Sequence, residues 1–170
     1  MIQPVVCEKK QIVLVGMSFY GDPFDSRAGW DDQNEIGHLW TRFMKFLSSH
    51  QSEIDAKSPP FYEVHIYTAE TREIGKFEVF VGMEVDLTKI KMFPVELCLK
   101  VLPETQYAIF TFRGEEITTD WEKTLQDWLT TSGYASPYTY NFQYYDDCFK
   151  GLDRIGESVL DVYIPVVKIA

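Results

Sequence analysis

The chain has 170 residues, 45% of them hydrophobic and 15% aromatic, and a formal net charge of −10. That much apolar material can bury one substantial core and argues against disorder, so a single domain over residues 1–170 is expected. The acidic balance opposes direct binding to nucleic acid, whose phosphate backbone needs clustered Lys and Arg.

Cys7, Cys98 and Cys148 lie far apart and show no CxxC or Cys/His spacing, which excludes a disulfide framework and points to a reducing cytoplasm. No stretch approaches the roughly 20 apolar residues that span a bilayer, so no membrane partner is expected. No His/Asp/Glu trio has metal-ligand spacing, and neither a metal nor an organic cofactor is expected.

In chain order, residues 11–19 carry the β-branched run IVLVGMSF and predict a strand. A loop rich in Asp, Gly and Pro follows over residues 22–32 and holds two aromatic residues, Phe24 and Trp30. Asn34 fits an N-cap, and Ile36, Leu39, Trp40, Phe43 and Leu47 fall at helical spacing through about Ser49. Ser58-Pro59-Pro60 breaks the chain before a strand over 61–67, where Tyr62, Val64 and Ile66 alternate with Glu63, His65 and Tyr67. Residues 69–75 read as a hairpin loop leading to a strand over 77–85.

A connection over 86–105, containing Pro94 and Pro103 and a short strand at its end, leads to a strand over 107–112. Glu115 and Glu116 then suit a helix N-terminus, and Ile117, Trp121, Leu125, Trp128 and Leu129 mark a helix ended by Gly133. Strands over 138–145 and 159–167, separated by a polar turn at 146–158, complete the chain.

The chain thus reads twice, as β-α-β-β over about 11–85 and again over about 106–168. Short echoes support the duplication: Phe46-Leu47-Ser48-Ser49-His50 recurs as Trp128-Leu129-Thr130-Thr131-Ser132, and Ser18-Phe19-Tyr20-Gly21-Asp22 as Thr111-Phe112-Arg113-Gly114-Glu115. The fold class expected is α+β, with pseudo-twofold halves, antiparallel sheets, helices on one face and a ligand groove between the halves.

Alternation assigns Val64, Phe142, Val79, Val162, Val81 and Ile164 to the helix-covered core. The opposite sheet face then carries Glu63, His65 and Tyr67 with Asn141, Gln143 and Tyr145, and also Glu78, Phe80 and Glu84 with Asp161 and Tyr163. Aromatic rings mixed with carboxylates and amides suit a groove for a flat, cationic organic molecule, although an open solvated sheet face has a similar pattern. The candidate ligand-binding residues are Gln143, Tyr145, His65, Tyr67, Phe80, Tyr163 and Glu84, with Trp40 as a core residue or groove wall and Trp30 as a cap. No GxSxG elbow or phosphate-cradling loop occurs, and Cys148 follows two aspartates that discourage a reactive thiolate, so no catalytic residue is expected.

Seven segments in order resemble the effector-binding domain of AraC-type regulators, also called the GyrI-like domain: IVLVGMSF, the helix with Leu39-Trp40-Phe43, FEVFVGMEV, YAIFTFRG, WLTTSGY, FQYY and VYIPV. The resemblance implies two β-α-β-β halves with a ligand between them. It also implies a stand-alone member, since relatives carry a helix-turn-helix region upstream. In the FxxY motif relatives usually place Glu after the Phe, where this chain has Gln143, so an acid that serves cation recognition or hydrolysis in relatives is missing there. Asp146 and Asp147 are the nearest carboxylates in sequence.

The leading expectation is a non-catalytic module that captures a small organic molecule, as a sensor, a sequestering protein or a partner of a transcription regulator. Two alternatives come from the resemblance. One is a small ring-opening hydrolase, which the loss of the acid at Gln143 disfavours. The other is a gyrase-inhibitor-like module binding a topoisomerase.

Overall fold

The computed structural model describes residues 2–50, 60–90 and 92–169, so Ser58 and Pro59 of the expected chain break lie outside the described residues. The elements, in order, are β1 (Val5–Lys9), β2 (Ile12–Gly21), α1 (Glu35–Ser49), β3 (Phe61–Ile66), the single turn α2 (Thr71–Ile74), β4 (Phe77–Glu84), β5 (Cys98–Leu102), β6 (Thr105–Arg113), α3 (Trp121–Thr131), β7 (Tyr134–Ala135), β8 (Tyr140–Tyr145) and β9 (Val159–Lys168). The mixed α+β class is as expected. Both long helices are capped from their own sequence: Asn34 Oδ1 accepts from the Gly37 N–H, and Asp120 accepts from the Lys123 N–H.

The strands pair antiparallel in the order β1-β6-β9-β8-β3-β4-β2-β5, with β7 added to β9. The inner six strands read alike from both ends, because β2-β4-β3 approaches the centre as β6-β9-β8 does. β3 and β8 meet at the middle, with Phe61 opposite Tyr145, Glu63 opposite Gln143 and His65 opposite Asn141.

Chain connectivity curls this sheet. β1 and β2 lie towards opposite ends yet are joined only by Lys10 and Gln11, and β5 and β6 only by Pro103 and Glu104. A flat sheet of eight strands would be about 35 Å wide, whereas such a link reaches only about 11 Å. The two ends therefore come together, and Lys10 Nζ lies 2.9 Å from Glu104 Oε1 at the join.

The inside of the curl is a core needing no helix to cover it, made of Leu14, Tyr62, Val64, Phe80, Tyr107, Phe142 and Tyr163. Phe142 and Tyr163 stack with ring centroids 4.5 Å apart. Gly16 and Gly82 face each other across β2 and β4, and a Cβ on either would fall within 2.8 Å of the Phe80 ring, so the glycine pair makes room for that ring. On the outside, α1 covers Val15, Met17, Val79, Val81 and Met83, and α3 covers Phe110, Leu160, Val162 and Ile164. Between the helices, the outer face of β3 and β8 is left open.

The register corrects the expected faces. Glu63 pairs with Val81 and His65 with Val79, so these polar residues share the helix-bearing face with the valines instead of opposing them. Val64 and Phe142 are core residues, but of the inner cluster with Phe80 and Tyr163. Alternation within each strand is as read; β3 and β8 were set one residue out against β4 and β9, and a slip of one residue exchanges faces.

Candidate functional site

The open outer strip of β3 and β8 forms the floor of a cavity of about 910 Å³. α1 supplies one wall through Trp40, Thr41 and Met44, and the approach to α3 supplies the other through residues 118–122. The loop before α1 adds Phe24 and Trp30, and the turn after β8 adds Phe149.

The loop is held by Asn34, which is buried. Its Nδ2 donates to the Gly29 carbonyl at 2.9 Å while its Oδ1 caps α1. A Cβ on Gly37 would sit 2.2 Å from the Asp32 carbonyl oxygen, so only glycine lets the loop lie against the first helical turn. Trp30 thereby reaches across to the second half and packs against the core beneath α3.

At the centre of the floor is Glu63, a carboxylate only 4% exposed. Its Oε1 accepts from Gln143 Nε2 at 3.2 Å and lies 2.8 Å from His65 Nε2, and its Oε2 accepts from the Trp40 indole N–H at 2.5 Å. Tyr145 completes the cluster by donating to Gln143 Oε1 at 2.7 Å. A buried charge is costly unless satisfied by donors, and this carboxylate faces three. Burial, then the charge of Glu63, pushes the Tyr145 phenol well above its ordinary range, so it stays a neutral donor. Tyr67 is raised by burial and by Glu122, to which it donates at 3.3 Å, while it accepts from Asn141 Nδ2 at 3.2 Å.

Among the described residues, those lining the cavity include six acids, Asp31, Asp32, Glu63, Asp120, Glu122 and Asp146, and no Lys or Arg. They also include nine Phe, Tyr or Trp rings, among them Trp40 edge-on to Tyr145 at 5.0 Å and to Phe61 at 6.1 Å. The chemistry available is a flat, apolar, negatively charged enclosure.

Six of the nine candidate residues meet here: Gln143, Tyr145, His65, Tyr67, Trp40 and Trp30. Trp40 is both wall and core, packing against each helix-covered cluster. Phe80, Tyr163 and Glu84 do not line the cavity. Phe80 and Tyr163 are buried inside the curl, and Glu84 accepts from the Tyr62 hydroxyl at 3.1 Å on the same inner side of the sheet. Of the two nearby aspartates, Asp146 lines the cavity, whereas Asp147 is exposed and does not. Asp146 also raises the Cys148 thiol pKa, in line with the unreactive thiol read from the sequence.

Glu63 was placed on the groove face from the sequence but is not among the candidate ligand-binding residues. The acid missing at Gln143 is present directly across the β3–β8 seam, on the neighbouring strand. Its signal was a lone carboxylate between Tyr62 and Val64 in a largely apolar strand, but its surroundings depend on Trp40 and Gln143, which are 23 and 80 residues away.

The model of integron-associated effector-binding proteins, Cass2, matches residues 6–166. The chain belongs to this family. Its fold recurs in solved structures of low sequence identity. The effector-binding chain is similar to SAV2435, solved with tetraphenylphosphonium, at 14% identity and a TM-score of 0.67, covering 98% of this chain and 94% of that one. It is similar to a chain of the EcmrR–DNA complex at 14% identity and a TM-score of 0.70, covering 98% of this chain and 58% of the other. It is also similar to a hydrolase from Listeria innocua at 11% identity and a TM-score of 0.53, covering 97% and 92%. No curated protein sequence matches it. Family and fold agree with the GyrI-like resemblance, and among the described residues no helix is long and apolar enough to cross a membrane.

Proposed function

We infer that this effector-binding protein captures a small organic cation carrying aromatic groups in the cavity between its halves, and serves as a sensor or sequestering protein. The observation that carries this reading is Glu63: a buried carboxylate at the floor of an aromatic cavity lined, among the described residues, by five further acids and no Lys or Arg. Its three donors keep the charge satisfied when the cavity holds no ligand, and a cation above it gains both Coulomb attraction and contact with ring faces. The tetraphenylphosphonium complex of SAV2435, a protein of the same fold, supports the choice of ligand class.

Titrating the protein with tetraphenylphosphonium, and with triphenylphosphine oxide as a neutral molecule of similar shape, while following Trp fluorescence tests the reading. Trp30, Trp40 and Trp121 all line the cavity and should report occupancy. Submicromolar to micromolar binding of the cation with weaker binding of the neutral compound is expected; no binding of the cation below millimolar concentrations sinks the proposal.

A second reading, hydrolysis, gains one specific observation. Glu63 stands across the seam from Gln143 and holds His65 at 2.8 Å, so an acid and an imidazole adjoin in the cavity after all. Against it, among the described residues the lining contains no Ser or Cys nucleophile. Incubation with strained-ring and ester substrates separates the two readings: turnover abolished by Glu63→Gln favours hydrolysis, and binding without turnover favours capture.

A further inference from the structure

Glu63 does not face the cavity alone. His65 Nε2 lies 2.8 Å from Glu63 Oε1, and since a carboxylate only accepts, Nε2 carries the proton in that bond. His65 lines the cavity, and its Nδ1 makes no hydrogen bond among the described residues. Protonation at Nδ1 turns the pair into an internal ion pair, 7% and 5% exposed at the two side chains. The floor of the cavity then carries no net charge.

We propose that His65 is a specificity-determining residue that competes, when protonated, with the ligand's cation for Glu63, so that the cavity selects cations at neutral and alkaline pH and loses that selectivity as the imidazole charges. This rests on the cation-binding reading above.

The groups that face His65 come from three strands and the far wall of the cavity. On β3 its neighbours are Glu63 and Tyr67, whose ring centroid lies 6.5 Å away; from β4 come Val79 and the Phe77 ring at 5.3 Å. From β8 come Asn141, Gln143 and Tyr145, and Tyr145 stays protonated well above neutrality. The nearest charge from the other wall is Glu122, which reaches this cluster through the Tyr67 hydroxyl. A bound cation disfavours the imidazolium, so by linkage cation binding expels a proton and affinity rises with pH.

The test is calorimetric titration of the full chain with tetraphenylphosphonium and with triphenylphosphine oxide at pH 5.5, 6.5 and 8, in two buffers of different ionisation heat. The expected result is cation affinity at least tenfold higher at pH 8 than at pH 5.5, with proton release on binding. The neutral compound should change less than threefold, and His65→Gln should flatten the cation profile. Should that variant fail to fold, proton release by the wild type decides. Tight cation binding that is independent of pH and releases no proton overturns the proposal, as does parallel loss of both compounds at low pH. Absence of cation binding at every pH refutes instead the reading on which the proposal rests.

Discussion

Replacing Glu63 with glutamine keeps the size of the side chain and removes its charge, which makes it the sharpest perturbation of this site. The carboxylate accepts from Gln143 and Trp40 and pairs with His65 through its two oxygens. An amide can present an oxygen to only one side of that set, so its NH2 group meets either the Trp40 N–H or the Gln143 and His65 side. One unsatisfied buried donor costs about 1–3 kcal/mol of stability. At about 2–4 °C per kcal/mol for a chain of this size, the melting temperature should fall measurably without loss of the fold. For a cation about 5 Å from the carboxylate, Coulomb attraction at an effective dielectric near 20 is about 3 kcal/mol, and desolvation offsets part of it. Tetraphenylphosphonium affinity should therefore fall about 10- to 100-fold, while triphenylphosphine oxide changes little. Fluorescence titration at a temperature where the variant remains folded measures both. A change of threefold or less for the cation, or an equal loss for the neutral compound, refutes the assignment of Glu63 as the charge that selects the ligand.

Trp30→Ala removes a half-buried ring from the cavity edge and should weaken aromatic ligands about 3- to 10-fold, in proportion to one lost aromatic contact, with only a small change in melting temperature; unchanged affinity would show that the loop does not contact the ligand. Phe80→Ala should behave in the opposite way, because the ring is fully buried inside the curl and away from the cavity: a stability loss of about 3–5 kcal/mol by chemical denaturation, with ligand affinity preserved under conditions where the variant is folded. Loss of affinity in that folded variant would contradict the assignment of faces. At alkaline pH, burial holds the phenols of Tyr145, Tyr62 and Tyr67 above their ordinary value of about 10, so the unfolded chain loses those protons first. Stability should be intact below about pH 10 and fall as pH rises beyond it, by up to about 1.4 kcal/mol per pH unit for each tyrosine kept protonated. Tyrosinate absorbance of this class should appear together with loss of circular dichroism, and early titration of all ten tyrosines in a still folded protein would be the contrary result.

Local structure was legible wherever a short-range pattern determines it. The Asn34 cap, the Leu39–Phe43–Leu47 stripe and the alternation over residues 77–84 each set an element with little help from the rest of the chain. β1 was not legible because Val5–Lys9 is an edge strand whose partner among the described residues, β6, lies about a hundred residues downstream. The curl escaped for a related reason. It follows from which strands are joined by two-residue links, and that becomes apparent only once the strand order is known.

The site was half legible. Tyr67, His65, Gln143 and Tyr145 were grouped correctly, since each pair shares a strand face, but Phe80, Tyr163 and Glu84 were added to them through a one-residue error of register between neighbouring strands. The same error hid the burial of Glu63. A carboxylate on a solvated sheet face is unremarkable, whereas the same carboxylate on the helix-bearing face, beneath Trp40, is a buried charge held by three donors.

The central claim is that the cavity over Glu63 takes an aromatic cation, and a crystal structure of the protein grown or soaked with tetraphenylphosphonium tests it most directly. The account predicts the phosphonium in the cavity between α1 and α3, its rings against Trp40, Tyr145 and Trp30 and its charge above Glu63. A well-ordered cavity left empty at saturating ligand, or the cation bound elsewhere on the molecule, would contradict it.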